Sequence, residues 1–158
     1  MDTGYLEKKA FKNGLTITAL LIAYFLIMKS VGLIHQYELR GFNAVIMFTG
    51  VFLTIRAYRK HHDRDFSYLR GMSLGVLTSL TTAVSFAAFV LIFILSSPNF
   101  MEMIRQNEPH GMYLNEYGIG IVIFIEAAAS GFIFSFLTMQ WFKDRVPVKH
   151  PGTGYLGS

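Results

Sequence analysis

Four stretches of this chain, residues 14–34, 42–58, 71–97 and 117–142, are apolar runs on the scale of a bilayer. Crossing the hydrocarbon takes about 20 helical residues, and the second run is the shortest of the four. Strands are a poor alternative, because the runs are too long and lack the alternation a membrane barrel needs. Backbone groups in lipid must find their partners within the segment, so helices follow. The sequence therefore predicts an all-α integral membrane four-helix bundle in a single domain spanning residues 1–158.

Composition agrees. Of the 158 residues, 53% are hydrophobic and only 15% charged, with a mean hydropathy of +0.42. Soluble domains carry about a quarter charged residues. The length leaves no room for a bundle plus a sizeable soluble catalytic domain. There are no cysteines, which excludes disulfides, thiolate metal sites and cysteine nucleophiles. A net charge of +4 is read as basic flanks of membrane spans rather than as a nucleic-acid footprint. The first run follows Lys8, Lys9 and Lys12, as a signal peptide would, but it exceeds the roughly 7–15 apolar residues of a signal core. It reads as a retained helix.

Lysine and arginine placement predicts orientation. Lys8, Lys9 and Lys12 precede span one, and Lys143, Arg145 and Lys149 follow span four. The junction between spans two and three carries Arg56, Arg59, Lys60, Arg64 and Arg70, whereas the other two loops offer only Arg40 and Arg105. Both termini, the basic loop 59–70 and the tail 143–158 are thus expected on the cytoplasmic side. The five residues of the junction are expected to signal topology, and they could also touch anionic lipid headgroups. In the outer loop 98–116, Ser97 and Pro98 open a short helix that Pro109 ends. Phe100, Met103 and Ile104 share one face of it, so it should lie on the outer surface or dock a partner. Tyr58, Tyr113, Tyr117 and Trp141 suit the aromatic belts.

Span three holds the clearest pattern. Gly71, Gly75, Thr78, Thr82, Ser85 and Phe89 recur at alternating spacings of four and three and fall on one stripe, with Leu74 off it. Small residues let helices approach closely in lipid. The stripe is read as a packing seam; a polar seam lining a path is the alternative. Span four shows Gly120, Ala127 and Gly131 on one side, with Ser130 at its edge, forming a groove for the seam of span three. Ile125, Phe132 and Phe136 occupy the opposite side and are expected to face lipid or a partner.

Two charges interrupt the spans, Lys29 and Glu126. Counted from the predicted span ends at about 1.5 Å per residue, their depths differ by only about 6 Å. A charge within a membrane pairs or marks a pathway. A Lys29–Glu126 pair joining spans one and four is therefore expected, with Glu126 at the margin of the small side. The alternatives are Lys29 snorkelling to the outer surface and a proton or ion path through Glu126.

The stretch "FLTIRAYRKHHDRDFSYLRGMSLGVLTSL" ends one span in a basic segment and opens the next on glycines, and "SSPNFME" follows span three. In these segments the chain resembles the domain-of-unknown-function family 4199, uncharacterised Bacteroidota inner-membrane proteins. Gly71, Gly75, Pro98 and Phe100 are the positions that align. The resemblance implies the fold and the compartment, and no activity.

Catalytic signatures are absent: no nucleotide-binding glycine loop, no HExxH, no G-x-S-x-G. No histidine lies within a span, which disfavours a haem held in the bilayer by two histidines. His61, His62, Asp63 and Asp65 read as a solvated loop rather than a metal site, and the seam hydroxyls have no visible base to activate them. The expectation is no enzyme, no cofactor and no metal. A non-catalytic accessory or scaffold subunit of a larger membrane complex is expected first. Its partners would be lipids and other subunits, or further copies of the chain. A small oligomeric transporter or channel using Glu126 and the hydroxyl seam comes second.

Overall fold

The structure, a computed structural model, describes residues 3–32, 37–61, 66–107 and 115–142. They form five helices: α1 Thr3–Ser30, α2 Tyr37–His61, α3 Tyr68–Leu95, α4 Pro98–Asn107 and α5 Glu116–Phe142. The described residues contain no strand, and α1, α2, α3 and α5 are each long and apolar enough to cross a membrane. The chain is a membrane four-helix bundle, with α4 as a short fifth helix packed against α3.

The helices exceed the predicted spans at their polar ends. α1 begins at Thr3, so Lys8, Lys9 and Lys12 ride on helix rather than on a leading loop. Its 28 residues measure about 42 Å, beyond the roughly 30 Å of hydrocarbon. It also stops earlier than predicted, at Ser30 rather than Ile34, and Ile34 itself lies outside the described residues. The cause is local. Gly32 takes φ +74°, its N–H bonds the Lys29 carbonyl, and the Val31 N–H bonds that of Ile27. Glycine reaches this left-handed conformation without a Cβ clash and so ends the helix. α2 likewise begins at Tyr37, five residues before the predicted span, and continues to His61. The basic junction is therefore partly helical.

Caps set the other ends. The Ser67 side chain accepts the Arg70 N–H at 3.4 Å ahead of α3. Asn115 Oδ1 accepts the Gly118 N–H at 2.7 Å ahead of α5. Each leaves one fewer backbone donor unsatisfied in a first helical turn. Pro98 opens α4 as predicted, and the Ser97 carbonyl accepts the Phe100 N–H at 2.9 Å.

Four packed pairs arrange the spanning helices in a ring: α1 with α3, α3 with α5, α5 with α2, and α2 with α1. α3 also touches α2 across the middle, so α1 and α5 are left standing diagonally opposite. The core has two ends. At the basic end, Ala10, Val51, Ile55, Tyr58, Phe66, Leu74, Met139 and Phe142 pack together. At the other end, Phe25 meets Phe89, Phe93 and Phe100 edge-on at 5.8, 5.2 and 6.0 Å. Edge-on rings at this spacing are a favourable arrangement. Phe100 and Met101 are buried, so α4 seals this end instead of merely lying on a surface. The side chains of Met103 and Ile104 lie outside the described residues.

Candidate functional site

The seam is where the chain's polar groups enter the bundle. It has two sides, because α3 stands between α1 and α5. Towards α5, Gly71, Gly75 and Ser79 descend in steps of four and face Met139, Ser135 and Gly131. A Cβ on Gly75 would lie 2.8 Å from the Ser135 Cβ and 2.9 Å from Ile55 Cδ1. A Cβ on Gly131 would run into Ser79. These contacts set the backbones of Gly75 and Gly131 directly against serine side chains of the facing helix, the close approach that small residues in steps of four provide in lipid.

Towards α1, Thr78, Thr81 and Thr82 surround Gly14. A Cβ on Gly14 would lie 2.7 Å from the Thr81 Cβ and 2.9 Å from the Thr78 carbonyl oxygen. The Thr82 hydroxyl reaches the Gly14 carbonyl at 3.1 Å and its own Thr78 carbonyl at 2.9 Å. The stripe predicted on α3 is therefore divided. Its first half, Gly71 and Gly75, serves α5. Its second half, Thr78 and Thr82, serves α1. Ser85 is half-buried beyond them.

Most seam hydroxyls are engaged by the backbone. Thr78 donates to the Leu74 carbonyl at 2.7 Å, Ser135 to Gly131 at 2.7 Å and Thr18 to Gly14 at 2.9 Å. Thr54 donates to Gly50 at 2.8 Å and accepts from Asn13 Nδ2 at 3.2 Å, tying α2 to α1. Ser79 and Thr138 are different. Both are buried, and neither hydroxyl has a hydrogen-bond partner among the described residues.

Gly120 packs on Leu91 at ordinary contact distance, while Ala127 and Ser130 are half-buried beside the groove. The sequence reading missed Gly14, Gly50, Ser79, Ser135 and Thr138. The signal for Ser79 and Ser135 was present as the pair "GMSLG", Gly71–Gly75, continued by Ser79, and "GFIFS", Gly131–Ser135. Both are small-xxx-small ladders in steps of four, not the four-three alternation that was followed. Leu74, placed off the seam, is fully buried in the core.

The expected Lys29–Glu126 pair is not formed. Its two helices stand diagonally across the bundle, because α3 uses its two small faces to draw α1 and α5 to opposite sides. Depth separates the residues as well. The Lys29 ammonium stands 4.2 Å over the Phe93 ring. The Ser79–Gly131 contact brings Glu126 level with about Val84, nine residues before Phe93. At 1.5 Å per residue that is roughly 13 Å. The earlier depth match relied on a span ending at Ile34, and α1 ends at Ser30. Lys29 sits in the last turn of α1, where its ammonium lies over the Phe93 ring and its charge suits the helix C-terminus. Glu126 is exposed on the outer face of α5, not at the margin of the groove.

The basic residues collect at one end of the bundle. Arg56, Lys60 and Arg70 are exposed. The Arg59 guanidinium stands 5.1 Å over the Phe142 ring, and the Lys9 ammonium 5.5 Å over that of Tyr58. Arg64 and the tail from 143 lie outside the described residues, as do His62, Asp63 and Asp65. His61 is exposed, with Nδ1 2.8 Å from the Ala57 carbonyl oxygen.

The model of a family described as "Protein of unknown function (DUF4199)" matches residues 12–144. Comparisons with curated proteins and with solved structures return no match.

Proposed function

Because the chain belongs to the domain-of-unknown-function family 4199, whose description assigns no activity, we propose a role drawn from its own packing. It is a non-catalytic accessory or scaffold subunit of a larger complex in a bacterial inner membrane. Its basic end faces the cytoplasm, where Arg56, Arg59, Lys60 and Arg70 meet anionic headgroups.

The closed seam carries this reading. Gly75 against Ser135 and Gly131 against Ser79 leave no room for a Cβ, let alone a solute. The hydroxyls of Thr78, Thr82 and Ser135 are held by carbonyls in place of a passing ion. A path through one copy would need Glu126 and these hydroxyls on the same side of α5, and they lie on opposite sides. What the bundle offers outward is broad helix faces suited to association.

The test expresses a tagged chain at native level and extracts it in mild detergent. A membrane protein at fixed stoichiometry is expected, whose abundance falls when this chain is deleted. Recovery of this chain alone, or an ion flux in liposomes abolished by Glu126→Gln, would overturn the proposal.

A further inference from the structure

α1 and α3 run in the same direction, with Ala10 beside Leu74 near one end and Phe25 beside Phe89 near the other. They touch at Gly14, where a Cβ would lie 2.7 Å from the Thr81 Cβ. Towards the basic end they part, and a Cβ on Gly4 would have nothing within 4 Å. The wedge between them is an open groove of about 410 Å³, lined by Glu7, Lys8, Ala10, Phe11, Leu77 and Thr81. Glu7, Phe11 and Gly14 follow one another at spacings of four and three, which sets them on the side of α1 that meets α3. Ala10 is buried, while Phe11 and Leu77 are 58% and 37% exposed along the opening.

Two properties of the groove select an occupant. The first is the order of its lining. Glu7 and Lys8 hold the polar end, and Phe11, Leu77 and Thr81 follow towards the middle of the bundle. From Glu7 to the level of Gly14 is about 10 Å. A phospholipid has the same order, headgroup and then tails, and clefts between membrane helices that end in charged residues hold lipid headgroups.

The second is the sign of the charges. Successive residues on a helix do not face each other, so Glu7 and Lys8 offer a carboxylate and an ammonium side by side. Both are exposed. Lys9 is turned elsewhere, its ammonium 5.9 Å over the Tyr5 ring and 5.5 Å over that of Tyr58. A purely anionic headgroup would meet Glu7 as a like charge, and a purely cationic solute would meet Lys8 in the same way.

We propose that this groove binds a phospholipid with a zwitterionic primary-amine headgroup, of the phosphatidylethanolamine class. Its phosphate lies on Lys8, its ammonium on Glu7, and an acyl chain runs along Phe11 and Leu77. A primary ammonium brings three N–H donors to the Glu7 carboxylate, as a lysine would; a trimethylated one brings none. The site stands on the membrane fold alone and is independent of the accessory reading.

The test titrates delipidated protein in mild detergent with phosphatidylethanolamine, phosphatidylcholine and phosphatidylglycerol of matched chains, counting bound lipid by native mass spectrometry. The parent is expected to retain phosphatidylethanolamine several-fold better than the other two. Glu7→Gln should abolish that preference and raise phosphatidylglycerol binding. Lys8→Gln should weaken all three several-fold, because all carry the phosphate. Lys29→Gln, a charge removed at the other end of the bundle, should change nothing. Both groove variants alter exposed side chains, so folding is checked by their elution and is expected to be unaffected. A photoreactive residue at Leu77 should label phospholipid in native membranes. Equal retention of the three lipids, preference for phosphatidylglycerol, an unchanged preference in Glu7→Gln, or labelling of a protein from Leu77 would overturn the proposal. Lipid selectivity in a chain recovered without a companion protein would end the accessory reading and leave this one standing.

Discussion

The Thr82 hydroxyl donates a 3.1 Å hydrogen bond to the carbonyl of Gly14, 68 residues earlier in the chain. It joins the two helices whose contact keeps α1 away from α5. Gly14 permits the approach because a Cβ there would meet the Thr81 Cβ and the Thr78 carbonyl below 3 Å.

Gly14→Leu should therefore destabilise the bundle by about 1–3 kcal/mol, as overpacking of a filled interface does. Thr82→Val, which keeps the shape and removes the bond, should cost about 0.6 kcal/mol, the usual size of such a bond in a membrane protein. Thermal unfolding in detergent measures both. A Gly14→Leu protein as stable as the parent would show that α1 and α3 do not meet there.

On the other face of α3, Gly75→Leu and Gly131→Leu should each lower stability by about 1–3 kcal/mol. Leu80→Ala is the matched control, because Leu80 is 43% exposed whereas Leu74 is fully buried. Equal loss in all three variants would separate stability from the seam.

Ser79→Ala should be neutral or stabilising. The hydroxyl it removes is buried without a partner among the described residues, so no bond is lost and a desolvated polar group disappears. A marked loss of stability in the same unfolding assay would mean that the Ser79 hydroxyl is engaged.

Lys29→Met and Glu126→Gln should act independently. Sites that share no partner and lie beyond about 7–10 Å add within about 0.3–0.5 kcal/mol. The two singles and the double, compared by chemical unfolding in detergent, measure the coupling. A double mutant clearly more stable than the sum of the singles predicts would restore the pair.

A reporter active only outside the cytoplasm should give signal when fused near Asn107 and none at the C-terminus. The expectation follows from the basic residues gathered at the end of the bundle away from α4. Strong signal from the C-terminal fusion would invert the topology.

The apolar runs alone determined that this chain is helical and membrane-spanning, because lipid leaves the backbone few other ways to satisfy its hydrogen bonds. The sequence also revealed that α3 carries small residues, since Gly71, Gly75, Thr78 and Thr82 can be counted along a helix without knowing any neighbour. It did not reveal which helix each one meets. Spacing describes one helix at a time, and a small face fits any other small face. Only the tertiary structure divided that stripe between α1 and α5. The fate of the two charges followed from that division. Lys29 and Glu126 looked level when spans were measured from hydropathy, but Gly32 ends α1 early and α3 stands between the helices that carry them. Depth and diagonal position belong to the assembled bundle, because they depend on how close each backbone can come to the next, and Gly14, Gly75 and Gly131 set that distance.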